Sequence, residues 1–374
     1  MCKKVIVIGL GATGSYAAWK LAQQGVHVIG LEQHELLHTK GAYSGESRLF
    51  RAAYHEGAEY VPLLLESRTE WLELQELGGR EIFRPTGALS IGSATAPQMV
   101  QVQQSLQHAD VAHEVLSSEE LRTRFPQHTQ ITDEIGVLDL MGGVLRPESA
   151  VAEIQRQAII HGADLRGHQN VRSVKEEGDH VSVTLADGTT LKASEVIITS
   201  GVHTPQLLPE LAPYLVIMPI SLTWFCPDDP TAFTPEVFPA FIRDLGSIHI
   251  FGVPMLDGSL VKAGYDAKLG TIDTPAQLPT TLTAAQRGDI ARDIHSLVPG
   301  LPPYIARESV HMDIFTEDKR PVIGHVSSRV IVGTGFSGHG FKLTPAFGNA
   351  LASFALGNAP AHDLSLFSPT RFAA

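Results

Sequence analysis

The stretch KVIVIGLGATGSYAAWKLAQQGVHVIGLE, residues 4–32, decides the fold. Lys4 to Ile8 is a β-branched run suited to a buried strand. Gly9-Leu10-Gly11-Ala12-Thr13-Gly14 follows, and then Ser15 to Gln24 carries Ala17, Ala18, Leu21 and Ala22 at the spacing of a buried helical face. Gly25 ends that helix, Val26 to Leu31 reads as a second strand, and Glu32 closes it. Strand, GxGxxG, helix, strand and terminal acid are the parts of a dinucleotide-binding βαβ unit. Gly9 allows the tight turn, Gly11 lets backbone approach a pyrophosphate, and Gly14 lets the helix pack close to the strand. Glu32 would accept hydrogen bonds from ribose hydroxyls, and its charge would repel a 2′-phosphate. A βα unit without a ligand is the competing reading; both strands, the helix and the acid argue against it. The motif does not choose between NAD and FAD.

At 374 residues the chain is too long for one small core, so two domains are expected. A content of 43% hydrophobic and 18% charged residues is that of a globular protein. The net charge of -12 argues against nonspecific nucleic-acid binding, although an acidic surface still permits a small basic pocket. Cys2 and Cys226 are too few for a disulfide framework or a cysteine-rich zinc site, and no metal is expected. No run of about 18 apolar residues appears, so no membrane span is expected. The opening MCKKVIVIGL reads as a buried strand and not a signal peptide, which places the protein in the cytoplasm.

After Glu32 the chain does not continue through regular βα repeats, as a nicotinamide dehydrogenase would. Arg48, Arg51 and Tyr54 stand three residues apart, which predicts one face of a helix. A solvated basic face is the plain alternative, but arginines one loop from the cradle suit a carboxylate. Residues 145–208 read as helix, strand, hairpin and strand, with Asp187-Gly188 at a hairpin turn. Val196 to Ile198 runs into Thr199-Ser200-Gly201, like a strand returning to FAD in two-domain flavoenzymes. Residues 86–147 and 216–307 interrupt this pattern with short apolar runs and prolines, as expected of an antiparallel sheet covering a substrate. The expected fold is therefore α/β. A Rossmann-like, glutathione-reductase-type FAD domain (1–85, 148–215, 308–374) interleaves with an antiparallel-sheet substrate domain (86–147, 216–307). Val330 to Gly333 forms a strand that ends in GTGFSGHGFKLTP, residues 333–345, and a helix from Pro345 to Ala355 follows. That glycine-rich turn would bring backbone to the flavin ring.

These residues carry a specific likeness. The chain resembles the monomeric sarcosine oxidase and N-methyltryptophan oxidase family of FAD-dependent amine oxidases. The likeness lies in GLGATG with Glu32, GESRLFRAAYHEGAEYVPL (45–63), GGVLRPESAV (142–151), LVKAGYD (260–266) and GFSGHGFKLTPAFG (335–348). The resemblance implies that Arg51 and Lys342 clamp a substrate carboxylate. It places Arg48 beside the flavin ring and Lys262 where a water-linked lysine assists reaction with oxygen. Tyr54 falls near the substrate, or is a packed core tyrosine. Gly9, Gly11, Gly14, Glu32, Ser47, Arg48, Gly201, His311, Gly338, His339, Gly340 and Lys342 are the expected cofactor contacts. Lys342 as a surface lysine and His339 as a structural histidine are the competing readings.

The departures from the family are equally specific. His311 stands where the family's flavin-linking cysteine falls, and neither Cys2 nor Cys226 lies in that segment. Noncovalent FAD is therefore expected, with a histidyl link through His311 the alternative. Ser44 and Asp266 stand where the family has histidines near the substrate, so sarcosine itself is in doubt. Segment 241–256, with Ile242, Phe251 and Val253, is expected to supply loops that shape the side-chain pocket. The expected activity is oxidation of the C–N bond of a secondary or N-substituted amino acid to an imine, by a monomer, with oxygen as acceptor and hydrogen peroxide as product. A dehydrogenase using another acceptor, a non-catalytic flavin-binding subunit and an NAD protein remain as alternatives.

Overall fold

The computed structural model describes residues 3–107, 111–246, 248–258, 260–265 and 269–372. Asp266 lies outside the described residues. The opening stretch folds as strand Lys4–Ile8, helix Ala12–Gln23 and strand His27–Leu31. These strands sit centrally in a six-stranded sheet. Its order is Val322–His325, Val330–Thr334, Glu195–Ile198, Lys4–Ile8, His27–Leu31 and Asp164–Arg166. All neighbours run parallel except Val322–His325, which is antiparallel to Val330–Thr334.

Strand alternation divides the apolar residues between two layers. Val5 and Val7 face a core shared with helices Ala12–Gln23, Pro147–Ile160 and Thr344–Leu356. Ile6, Ile8, Val196, Ile198, Val330 and Val332 face Val181, Val183 and Leu185 of a three-stranded antiparallel sheet. That small sheet comprises Val171–Glu177, His180–Leu185 and Thr190–Ala193, with Asp187-Gly188 in the second turn.

The second large element is an eight-stranded sheet. Its order is Arg307–Phe315, Val216–Phe225, Val261–Tyr265, His249–Val253, Ala240–Asp244, Ala88–Ser93, Glu134–Asp139 and His113–Leu116. It is antiparallel except at one junction, where Ala240–Asp244 runs parallel to Ala88–Ser93. This is where two insertions far apart in sequence meet, so no hairpin imposes opposite directions. Residues 241–256 do not form loops: most lie in two paired strands, Ala240–Asp244 and His249–Val253. Their alternation sends Phe241 and Ile250 into a second core, while Ile242, Phe251 and Val253 line the main cavity.

The helix expected to carry Arg48, Arg51 and Tyr54 does not form. Arg48–Phe50 is a strand paired with Gly143–Leu145, and residues 51–54 are irregular. The Asp139 carboxylate holds the Ala52 and Ala53 N–H groups at 2.5 and 3.0 Å, and the Ser105 hydroxyl holds Tyr54 N–H at 2.9 Å. These distant partners overrule the three-residue spacing. Among the described residues, no helix is long and apolar enough to cross a membrane, and no group of three or more His, Cys, Asp or Glu side chains is placed to hold a metal ion.

Candidate active site

One continuous cavity of about 2000 Å³ runs from the Gly9–Gly14 turn to Arg51, Lys262, His311 and Lys342. At its first end Gly9 has φ +89° and donates to Leu31 O at 2.8 Å. A Cβ at Gly14 would lie 2.1 Å from Gly9 O and 2.3 Å from Thr199 Oγ1, so only glycine lets helix and strand meet there. A Cβ at Gly11 would meet nothing within 4 Å, so protein does not fill the space that a pyrophosphate would. The helix has no side-chain cap at Gly11, which leaves its first N–H groups for an anion.

Glu32 Oε2 accepts Leu10 N–H at 3.0 Å, and Oε1 accepts His34 N–H at 3.1 Å. Lys40 N–H donates to His38 Nδ1, so the neutral His38 ring carries its proton on Nε2, 3.4 Å from Glu32 Oε1. Burial raises the Glu32 pKa, but His38 and the backbone bonds outweigh it and hold the group below the ordinary carboxylate value. Glu32 stays an acceptor. Gly cradle, bare helix N-terminus and buried acceptor together fit a dinucleotide.

Arg48 donates to Ser47 O, Ala42 O and Ser44 O in the loop that leads from Glu32 to the far end of the cavity. Lys262, on Val261–Tyr265, is buried and donates to Gly45 O at 3.1 Å and Ser47 O at 2.8 Å. Burial and then Arg48 push its pKa well below the ordinary lysine value. Ser44 is turned away, donating to Gly41 O at 2.8 Å. His311 lies on Arg307–Phe315 and lines the cavity, its Nε2 2.8 Å from Ser309 Oγ. Burial, then Arg48 and Lys262, lower its pKa to about 4 and keep the imidazole neutral.

Arg51, Tyr54, His339 and Lys342 converge at the far end. The Arg51 guanidinium carbon is 5.0 Å and Lys342 Nζ 5.3 Å from the Tyr54 ring centroid, and all three side chains are buried. His339 Nε2 must donate to Lys319 O at 2.9 Å, so Nδ1 accepts the Tyr54 hydroxyl at 2.9 Å. Lys342 Nζ in turn donates to His339 O at 3.1 Å. Both His339 ring nitrogens are thus committed to protein, and its ring supports Tyr54. Burial lowers the Lys342 pKa to about 8, with Glu56 opposing and Arg51 adding to the fall.

The sequence spacing missed two neighbours of Arg51. Glu56 takes NH2 with both carboxylate oxygens, at 3.2 and 3.0 Å, and His55 Nδ1 lies 2.7 Å from NH1. Among the described residues the remaining Arg51 Nε is buried without a hydrogen-bond partner. A histidine and an acid four and five residues past an arginine were a readable hint; the lack of a helix hid it. Gly338 (φ +82°), His339, Gly340 and Lys342 all line the cavity, as do Gly201 and Ser47. Gly340 must be small because a Cβ there would come within 2.5 Å of Phe336.

A parallel sheet with a glycine cradle, opening into a cavity roofed by a second sheet, defines a dinucleotide-dependent oxidoreductase. The chain belongs to the FAD dependent oxidoreductase family, whose profile matches residues 4–354. It is 34% identical to monomeric sarcosine oxidase of Streptomyces avermitilis, over 99% of this chain and 98% of that protein. It is 30% identical to N-methyl-L-tryptophan oxidase of Yersinia pestis, over 98% of this chain and 99% of that one. Among solved structures, the open form of NikD, an unusual amino acid oxidase essential for nikkomycin biosynthesis, shares the fold with a TM-score of 0.84 at 22% identity. That similarity covers 98% of each chain. The protein is thus an FAD-dependent oxidoreductase.

Two glycines separate folding from cofactor binding. Gly14→Ala is expected to cost on the order of 1–3 kcal/mol or more in thermal unfolding, because the new methyl meets backbone. Gly11→Ala is expected to leave the FAD-depleted protein within about 0.5 kcal/mol of wild type. It should nevertheless weaken FAD binding in a fluorescence-quenching titration.

Proposed function

We propose that the protein oxidises the C–N bond of a secondary or N-substituted amino acid to an imine, with oxygen as acceptor and hydrogen peroxide as product. The supporting observation is the pair of buried cations, Arg51 and Lys342, on one tyrosine ring in the cavity that begins at the dinucleotide cradle. Two converging cations fit a carboxylate, and the named relatives act on N-methyl amino acids. FAD, when bound, would accept a hydride equivalent from the substrate carbon and pass electrons to oxygen. The chain supplies orientation and electrostatics. Arg51, Lys342 and Tyr54 hold the substrate, while Gly9, Gly11, Gly14, Glu32, Ser47, Arg48, Gly201, Gly338 and Gly340 hold the cofactor. Segments 1–85, 148–215 and 308–374 carry the cofactor side of the cavity, and 86–147 with 216–307 the substrate side. The Arg307–Phe315 strand borders both, since it pairs with Val216–Phe225.

Lys262 has the oxygen role. Its two carbonyl partners satisfy a neutral amine as well as an ammonium, so negative charge delivered to the nearby ring favours its protonation. That cation then stabilises charge developing on oxygen. Lys262→Met is expected to slow the oxygen half-reaction by about 10²–10³-fold in stopped flow. Anaerobic reduction by amine should change far less. An unchanged oxygen reaction would remove the role and favour a dehydrogenase.

Lys342 gives a pH signature. Its pKa is lowered to about 8, so the cation is present below that value and lost as pH rises through it. The dissociation constant of a carboxylate inhibitor is expected to climb above about pH 8, and Lys342→Met should remove the dependence.

FAD is held noncovalently in this reading, with the His311 imidazole bonded to Ser309 and the exposed thiol of Cys226 outside the cavity-lining set. Acid precipitation is expected to leave the flavin in the supernatant; flavin in the pellet means a covalent link, with His311 the first residue to substitute. An anaerobic screen of N-substituted amino acids should then find one that bleaches the flavin, and a flavin that none bleaches overturns the proposed activity.

A further inference from the structure

Asp313 is a cavity carboxylate that the roles above leave unused. It lies two residues from His311 on strand Arg307–Phe315, so strand alternation puts both on one face, and both line the cavity. Oδ1 accepts Ile314 N–H at 2.8 Å and Oδ2 accepts Gly338 N–H at 2.9 Å. Each carboxylate oxygen accepts two hydrogen bonds, so two positions remain.

The other carboxylates of the cavity wall already have side-chain partners. Glu32 is paired with His38, Glu56 with Arg51, and Asp244 with His249. Asp293 is paired with Arg292, and Asp318 with Arg371. Among the described residues Asp313 makes no ion pair, and it is held by two backbone N–H groups. A half-buried carboxylate fixed by backbone and open on its other side is set to receive a donor from a ligand.

Its mounting says which donor. Gly338, which holds Asp313, is followed directly by His339, whose carbonyl holds Lys342 Nζ at 3.1 Å. The anion-binding cation and the free carboxylate are therefore attached to adjacent residues of one loop. An amino acid presents its carboxylate and its nitrogen one carbon apart. With the carboxylate at Arg51 and Lys342, a nitrogen turned toward the Gly338 end of that loop would meet Asp313.

We propose that Asp313 is the acceptor for the substrate's amino group, binding it as an ammonium and taking its proton before oxidation; this rests on the amine-oxidation reading above. The step balances simply. An N–H bond breaks, an Oδ–H bond forms, the electron pair of the broken bond stays on nitrogen, and no bond to carbon changes. The restored lone pair is what C–N oxidation requires. The charged neighbour acting on Asp313 is Arg48; His311 stands two residues away on the same strand, with Lys262 and Glu148 acting on it, and the loop that Asp313 anchors at Gly338 carries His339 and Lys342. Burial raises the Asp313 pKa against the lowering effect of its backbone bonds and Arg48, which brings its proton affinity closer to that of an amine.

The test compares two ligands by flavin absorbance, on holoenzyme between about pH 6 and pH 7.5, where Lys342 is still charged. One is methylthioacetate, a carboxylate with sulfur in place of nitrogen; the other is N-methylglycine, or whichever amine of the screen bleaches the wild-type flavin. The wild type is expected to bind the amine with little pH dependence. In Asp313→Asn, amine affinity should drop at least tenfold near pH 6.5 and recover by about tenfold per pH unit as free amine replaces ammonium. Methylthioacetate binding should change by less than about threefold, and Asp313→Glu should restore part of the amine binding. Equal weakening of both ligands would show that Asp313 only shapes the loop, and no weakening of either would also overturn the proposal. Should Asp313→Asn lose its flavin, the wild type decides alone: amine affinity that already rises tenfold per pH unit overturns the assignment. A wild-type flavin that no amine bleaches removes the activity reading, and the assignment with it.

Discussion

The close approach of helix Ala12–Gln23 to the sheet is the constraint on which the structure depends. Gly14 sits where a single methyl would strike Gly9 O and Thr199 Oγ1, while the Thr199 hydroxyl donates back to Gly9 O at 2.8 Å. That contact ties the first strand, the first helix and the strand Glu195–Ile198 into one unit. It also aims the uncapped helix N-terminus into the cavity and places Leu10 N–H against Glu32. The cradle and the ribose acceptor are consequences of one packing distance.

From there the loop of residues 34–47 carries order to the far end. It starts against Glu32 through His38 and ends under Arg48 and Lys262, which between them hold the carbonyls of Ala42, Ser44, Gly45 and Ser47. The Glu148 carboxylate adds a clamp from helix Pro147–Ile160 by accepting Gly45 and Glu46 N–H at 2.7 and 3.1 Å. Two cations and one acid thus fix the backbone alongside the expected cofactor. This explains why GESRLF and RPESAV, a hundred residues apart, both carry site chemistry.

What was legible in the sequence was local. The GxGxxG unit, the return strand at Val196 and the strand before GTGFSGHG are set by neighbours within a few residues, and they formed with boundaries shifted by up to three positions. What was not legible depended on distant partners. Arg48 became a strand residue because Leu145 pairs with it, and Arg51 turned toward the cavity because Asp139 and Ser105 hold the next three amides. Asp313 could not be singled out, since strand alternation gives it the same face as His311 but says nothing of the loop at Gly338. The parallel junction of the large sheet was equally hidden, because it forms between insertions more than a hundred residues apart.

The occupied fork of Arg51 bears on how a substrate enters. His55 and Glu56 hold the two terminal nitrogens, and among the described residues Nε is buried with no hydrogen-bond partner. Burial raises the Glu56 pKa, but Arg51 more than offsets it, so Glu56 stays charged beside Arg51, and below about pH 8 Lys342 adds a second cation. An entering carboxylate has two ways to bind. It can add to Nε and Lys342, which places a second negative charge beside Glu56, or it can replace Glu56 and keep the local charge unchanged. Addition brings a second anion to a site that already holds two cations and so strands no buried charge, whereas exchange leaves one cation uncompensated. Lys342 is therefore the counterion of the added carboxylate: burial lowers its pKa despite Glu56, and a second anion beside it would favour the charged form.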